Sequence, residues 1–206
     1  MLEAFIIYKR LITHMVITNS LFSSFPLIQT KRLRLRQMHA ADANDVFDFY
    51  SDPRVMQHQD WAGPPTIEAT ESLIDSWNEA YTDRKLFAWG ISQREEDKVI
   101  GSVILMPTRG TFDEVPQFPL SLGYDLHPDY WNKGITSEAL NGVLDFSRKS
   151  IGFNRIQAEV LPENKASIRV LHKLGFHEEG VLKQYLMHEV THKFLDVVML
   201  ALLLNS

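Results

Sequence analysis

Cysteine is missing from all 206 residues. Disulfides, thiolate metal ligands and cysteine nucleophiles are therefore excluded, and the fold must rest on packing alone. A reducing, cytoplasmic setting fits such a chain. An excess of basic charge is also missing: 21 Lys and Arg stand against 26 Asp and Glu, a net charge of −5. A nucleic-acid-binding face needs clustered Lys and Arg, so nucleic acid is not an expected partner. Long apolar runs are missing too. Residues 1–17 are apolar in patches (Phe5-Ile6-Ile7, Leu11-Ile12, Val16-Ile17), but Glu3, Lys9, Arg10 and His14 interrupt them. A signal peptide wants an unbroken apolar stretch of about 7–15 residues, and a spanning helix wants about 20. No membrane span is expected. The segment reads as an appended helix or an early start, and docking on a partner subunit or a membrane surface is the sharper alternative. Glycine-rich phosphate loops are lacking as well. Neither G-x-x-x-x-G-K-[ST] nor G-x-G-x-x-G occurs, which disfavours kinases, other NTPases and Rossmann dehydrogenases.

What is present is an ordinary globular composition, 45% hydrophobic and 23% charged. Leu33-Arg34-Leu35-Arg36 alternates with period two and predicts a half-buried strand. A helix follows from His39 to about Ser51, stopped by Asp52-Pro53, and a second from Thr66 to about Thr82. Leu86–Ser92 and Val99–Met106 flank a polar turn and predict a hairpin. Thr108–Pro119 reads as a loop and Leu120–Leu126 as a strand. Ile135, Ala139, Leu140, Val143, Leu144 and Phe146 have helical spacing within Gly134–Ser150. Arg155–Leu161 is a strand, and Asn164–Leu174 a helix ended by Gly175. Phe176–Lys183 and Asp196–Leu204 form a closing antiparallel pair. The expectation is an N-terminal extension over residues 1–27 and one α/β (α+β) domain over 28–206.

The chemically informative stretch runs from Leu122 to Leu140. A strand leads through a short loop containing Gly134 into a helix N-terminus. The free N–H groups of that first turn, with the helix dipole, make an anion site suited to a phosphate or pyrophosphate. Gly134 lets the backbone come close because it has no Cβ. Alone, such a turn is also what any plain strand-to-helix connection looks like.

A resemblance adds to this reading. His127-Pro128-Asp129-Tyr130-Trp131-Asn132-Lys133-Gly134-Ile135-Thr136-Ser137-Glu138-Ala139-Leu140 resembles the W-G-K-G-Y-A-T-E-A-L segment of GNAT acetyltransferases, and more narrowly the ribosomal-protein N-terminal (RimJ/RimL-type) branch. Thr30–Arg36 resembles that branch's T-x-R-L-x-L-R start. Asn154–Ala158 with Pro162–Ser167 resembles N-R-x-x-A…P-x-N-x-x-S. Val170–Phe176, Glu179-Gly180 and Asp196 resemble its K-L-G-F-x-x-E-G…D ending. Four segments agree in order across residues 28–204. The resemblance implies a single GNAT-like domain, a mixed and mostly antiparallel central sheet flanked by helices. It implies acetyl-CoA as co-substrate and transfer of its acetyl group to a primary amine, either a peptide N-terminus or a small molecule. A GNAT fold that binds acyl-CoA or a partner without turnover is the alternative, and a homodimer through the N-terminal segment is compatible with both.

By that resemblance the CoA pyrophosphate and pantetheine fall to Leu126, His127, Trp131, Asn132, Lys133, Gly134, Ile135 and Thr136. Asn164 and Ser167 fall beside the pantetheine and thioester, with Ser167 the candidate catalytic residue as donor to the departing thiolate. Asn132 stands where the branch usually has Gly, and Thr136 where it usually has Ala. The Glu that many members use as base is replaced by Ser121, and their Tyr acid by Leu171. Asp125, His127, His58 and Asp60 remain as bases, none distinguished by sequence. Trp61, Trp77, Trp89 and Phe87 are expected on the acceptor side, Trp77 having helical spacing that equally suits a core position. No metal site is expected, since His188 and His192 have no third ligand spaced beside them.

Overall fold

The computed structural model describes residues 20–204. The expectations for residues 1–17 lie outside the described residues. An eight-stranded sheet runs through the molecule in the order β1-β2-β3-β4-β5-β6-β8-β7. Its strands are β1 (Ile28–Gln29), β2 (Leu33–Gln37), β3 (Phe87–Gln93), β4 (Val99–Pro107), β5 (Leu120–Leu126), β6 (Arg155–Val160), β7 (His177–Met187) and β8 (Phe194–Leu203). Every neighbouring pair is antiparallel except β5 with β6. The mixed, mostly antiparallel sheet flanked by helices is the one expected.

Among the described residues the α-helices are α1 (Ala43–Tyr50), α2 (Pro53–Met56), α3 (Ile67–Thr82), α4 (Ile135–Phe146) and α5 (Lys165–Lys173). Asp52, expected to stop α1, also starts α2. Its carboxylate accepts from the Arg54 N–H, and Pro53 at the first helical position needs no N–H partner. Thr66 caps α3 through its side chain onto the Ala69 N–H. The closing pair β7–β8 is longer than its apolar pattern, because the ladder carries exposed residues out to Met187 and Phe194. Among the described residues no helix is long and apolar enough to cross a membrane.

Strand alternation distributes the core over both faces of the sheet. Phe87, Trp89 and Ile91 of β3 join Leu33 and Leu35 of β2 and the apolar stripe of α4. Ala88 on the opposite face joins Val46, Phe49 and Tyr50 of α1 and Ile74 of α3. Apolar packing begins upstream of Ile28. Phe22 stacks on Phe87 with centroids 4.9 Å apart, and Phe25 lies 4.9 Å from Tyr81. Trp89 donates its indole N–H to the Pro26 carbonyl at 2.8 Å.

Thr30 and Arg32 tie the chain's start to α4. Glu138 accepts from the Thr30 hydroxyl at 2.6 Å, the Arg32 N–H at 2.7 Å and the Arg32 guanidinium at 2.6 Å. Arg32 also donates to the Lys133 carbonyl at 3.0 Å. The T-x-R start thus braces the loop that leads into α4.

Candidate active site

β5 and β6 pair only at Leu120 with Ile156 and Ser121 with Gln157. Beyond Ser121 they part, so among the described residues one edge of β5 from Leu122 onward has no strand beside it. A cleft of about 500 Å³ opens there. It is lined from β5 by Ser121–Asp125, from β6 by Ala158–Val160, and from α5 by Asn164 and Ser167. A free sheet edge offers N–H and C=O groups to any extended ligand laid along it.

At the C-terminal end of β5 the chain turns into α4. Trp131, 37% exposed, donates its indole N–H to the Leu126 carbonyl at 2.7 Å and so spans the loop. Asn132 (φ 59°) and Gly134 (φ 72°) both adopt the left-handed conformation, which Gly takes freely and Asn tolerates. The two left-handed residues bring the chain around so that α4 starts with the N–H groups of Ile135, Thr136 and Ser137 unpaired within the helix. A Cβ on Gly134 would find only the Arg32 guanidinium, at 3.7 Å. Lys133 places its ammonium 5.4 Å from the Tyr130 ring. His127 stands apart. Its backbone N–H donates to the Ile100 carbonyl, its Nδ1 accepts from the Asp129 N–H, and Nε2 lies 3.4 Å from Asp48. Its ring is thereby fixed toward α1.

Across the cleft, Asn164 caps α5 by accepting from the Ser167 N–H at 3.0 Å. The Ser167 hydroxyl meets the Tyr124 phenol at 2.6 Å. Burial pushes the Tyr124 hydroxyl up to about 12. Asp125 points the opposite way from Tyr124 along the strand. It accepts from Tyr50 at 3.0 Å and from Gln59 at 2.6 Å. Burial pushes its carboxyl up to about 6, against these two hydrogen bonds. Tyr50 rises well above its ordinary value, mainly through burial and then through the charge of Asp125.

Of the aromatic residues expected on the acceptor side, Trp61 and Trp77 line the cleft. Trp89 and Phe87 do not; both are fully buried in the core. Their strand faces α4, and Phe22, Phe25 and Phe146 close over them. Leu171 is fully buried, and Ser121 lines the cleft without an ionisable group. Tyr124 was not singled out as a functional residue by sequence. Its signal is a hydroxyl-bearing residue on the otherwise leucine face of β5, next to Gly123.

Comparison with known proteins gives the family and the fold. A family profile described as "Acetyltransferase (GNAT) domain" matches residues 32–177. The uncharacterized N-acetyltransferase YoaA of Bacillus subtilis (strain 168) is 32% identical over 169 residues, covering 81% of this chain and 92% of its own length. A ribosomal protein uS5-alanine N-acetyltransferase from Escherichia coli (strain K12) is 28% identical over 168 residues, covering 78% of this chain and 82% of its own. A solved acetyltransferase (GNAT family) from Bacillus anthracis matches the fold with a TM-score of 0.73 at 26% identity, covering 86% of this chain and 98% of that one.

Proposed function

Because the chain belongs to the GNAT acetyltransferase family, we propose that it carries the acetyl group of acetyl-CoA to a primary amine that arrives as its ammonium, at a peptide or protein N-terminus or on a small molecule. The single observation behind this acceptor is the cleft lining: Asp60, Asp125 and Glu159 stand there among Tyr50, Trp61 and Trp77, with no Lys or Arg among the described residues. Partial burial, with Asp60 nearby, holds the Glu159 carboxyl above its usual range. Such a lining attracts a cation and gives an acidic acceptor no counter-charge. The relative from Escherichia coli acts on an alanine of ribosomal protein uS5 by its name, which supports an N-terminal amine. An acetyl-CoA-dependent reaction in a cysteine-free chain fits the cytoplasm.

In this reading the backbone from Trp131 to Thr136 holds the CoA pyrophosphate. Its N–H groups and the positive end of α4 supply the field, and Lys133 adds charge at the rim. The unpaired edge of β5 to Leu126 takes the amides of the pantetheine arm. His127 ends that edge, with its backbone N–H given to the Ile100 carbonyl, its own carbonyl taken by the Tyr130 N–H and its ring facing Asp48. Asn164 orders the start of α5, and Ser167 presents its hydroxyl to the sulfur. Tyr124 backs Ser167, so a proton given to the thiolate can be replaced across a 2.6 Å hydrogen bond.

The test is an acetyl-transfer screen with mass detection. Acetyl-CoA is offered with Ala- and Ser-starting peptides, peptides with an acidic second residue, and small mono- and diamines. Acetylation of neutral or basic acceptors, with acidic ones poor, is the expected result. Acetyl-CoA binding without turnover on any amine would leave only the binding-module alternative.

A further inference from the structure

Ser121, Gly123 and Asp125 share one face of β5, since side chains alternate along a strand. Gly123 leaves that face open: a Cβ built on it meets nothing within 4 Å. An empty lane therefore runs along β5 from Ser121, its last residue paired with β6, to Asp125, inside the cleft that both line. Asp125 closes the lane. Tyr50 of α1 donates to its Oδ2, and Gln59 from the loop after α2 donates to its Oδ1. Tyr50 is itself fixed by the Ser102 hydroxyl of β4 at 3.2 Å.

Two donors occupy about half of a carboxylate's lone-pair sites. No Lys, Arg or His is paired with Asp125 among the described residues; its only hydrogen bonds come from neutral groups. A carboxylate held in place this way, without a cation, is an unfavourable thing to enclose unless a cation is delivered to it. The other ionisable groups of the cleft suit that task less. Asp60 and Glu159 are more open to solvent than Asp125, and Glu159 is reached by the Tyr185 hydroxyl at 3.4 Å. The His58 Nδ1 is enclosed and has no hydrogen-bond partner among the described residues.

Resting on the transfer reading above, we infer that Asp125 is the catalytic base, binding the acceptor's ammonium and taking its first proton. The ammonium proton passes to a carboxylate oxygen, leaving a neutral amine. The nitrogen lone pair bonds to the thioester carbonyl carbon, and the C–S bond then breaks with its electron pair on sulfur. The second proton lost by nitrogen balances the one that the sulfur gains through the Ser167–Tyr124 side. Asp125 returns its proton to water as the product leaves. Ammonium and acetyl-CoA thus give amide, CoA thiol and one proton. A fixed base of this kind typically contributes about 10²–10⁴-fold. Tyr50, Gln59 and Ser102 are positioning residues.

The experiment uses the full chain, acetyl-CoA and the best acceptor from the screen, with kcat/KM followed from pH 5 to 9. Tyr50 from α1 and Gln59 from the loop after α2 bond Asp125, Ser102 of β4 bonds Tyr50, and His58, Asp60 and Glu159 are the other ionisable side chains lining the cleft besides Tyr124. The wild type is expected to lose activity on the acid side around pH 6, as Asp125 takes up its proton. Asp125→Asn is expected to lose about 10²–10⁴-fold in kcat/KM at pH 7.5, to lose that acid limb, and to bind acetyl-CoA unchanged by calorimetry. Tyr50→Phe removes one hydrogen bond that favours the carboxylate, so its acid limb moves to higher pH while alkaline activity persists. Wild-type kcat/KM in Asp125→Asn overturns the assignment. So does an equal loss of acetyl-CoA affinity, or a Tyr50→Phe limb that stays in place. Failure of the wild type on every amine overturns the transfer reading itself, and this inference with it.

Discussion

The phenol of Tyr124 and the hydroxyl of Ser167 lie 2.6 Å apart, joining β5 to the first turn of α5 across the cleft. Neither group is charged at neutral pH, and burial holds the Tyr124 proton on up to about 12. The pair is therefore a proton donor rather than a base. It suits a sulfur that is leaving as thiolate.

Ser167→Ala is expected to lower kcat by about 10²-fold or less, because a thiol is already a fair leaving group, with a pKa of about 8.5. Acetyl-CoA affinity should stay put, the mark of an interaction made mainly in the transition state. Tyr124→Phe should give a smaller loss, since Ser167 can still be refilled by water. Steady-state kinetics with calorimetric affinities checks both, and a wild-type kcat in Ser167→Ala removes that residue from the chemistry.

Gly134 sits at φ 72° with room around it on the protein side. A side chain there costs about 1–2 kcal/mol in backbone strain and fills space at the start of α4. Gly134→Ala is expected to fold with a slightly lower Tm and to weaken acetyl-CoA binding by more than that strain alone explains. Asn132→Gly relieves a left-handed Asn at φ 59° and should leave affinity unchanged. Calorimetry on the two variants separates backbone strain from ligand contact; equal affinities for Gly134→Ala and wild type remove the anion from this turn.

Much of this arrangement was legible in the sequence, and the reason differs by element. Thr66 before an amphipathic run, the β3–β4 turn and the Leu122–Leu140 stretch are local signals, and each became the element expected. Side-chain partnerships were not legible, because folding brings together residues whose separation carries no pattern. Tyr124 and Ser167 are 43 positions apart, Tyr50 and Asp125 75. Phe87 and Trp89 are expected at the acceptor from the region of the family they fall in; alternation along β3 puts them on one face but does not tell which helix covers it, and α4 does. One signal was available for Asp125. Ser121, Gly123 and Asp125 put a non-apolar residue at every second position of β5, while Leu120, Leu122, Tyr124 and Leu126 fill the others. That is a strand with one face reserved for something other than core.

Where the domain begins is a question of energy. A chain starting at Ser20 retains Phe22 and Phe25, whereas one starting at Pro26 loses their contacts with Phe87, Tyr81, Phe112 and Trp89. Buried Phe→Ala changes cost about 3–5 kcal/mol, and these rings are only partly buried. A combined loss of about 2–4 kcal/mol is expected, or roughly 5–15 °C in Tm for a chain of this size. Below its Tm the shorter chain should still bind acetyl-CoA, because the cleft lies on other elements. Equal Tm values for the two chains would show that the aromatic cluster contributes nothing.

Asp125 sets function against stability, and the sign can be worked out. Its carboxyl titrates at about 6 in the folded chain, against about 3.9 when unfolded. Between those values the folded protein holds a proton that the unfolded chain has released. Stability from this group is therefore complete below about pH 4 and is lost as pH rises through about 6. A shift of about two units corresponds to roughly 3 kcal/mol. Asp125→Asn removes the charge while keeping the shape. Its oxygen can still accept from Tyr50, and the Gln59 amide can turn to accept from the new NH2 group. The variant is thus expected to be more stable than wild type at pH 7.5, by a few degrees in Tm, with the gain shrinking toward zero at pH 4. A merely structural carboxylate in a satisfied network predicts the reverse, a loss of stability at neutral pH. Thermal melts of both proteins at the two pH values decide between them. Gain of stability together with loss of kcat is the signature of a group kept for its chemistry at the expense of the fold.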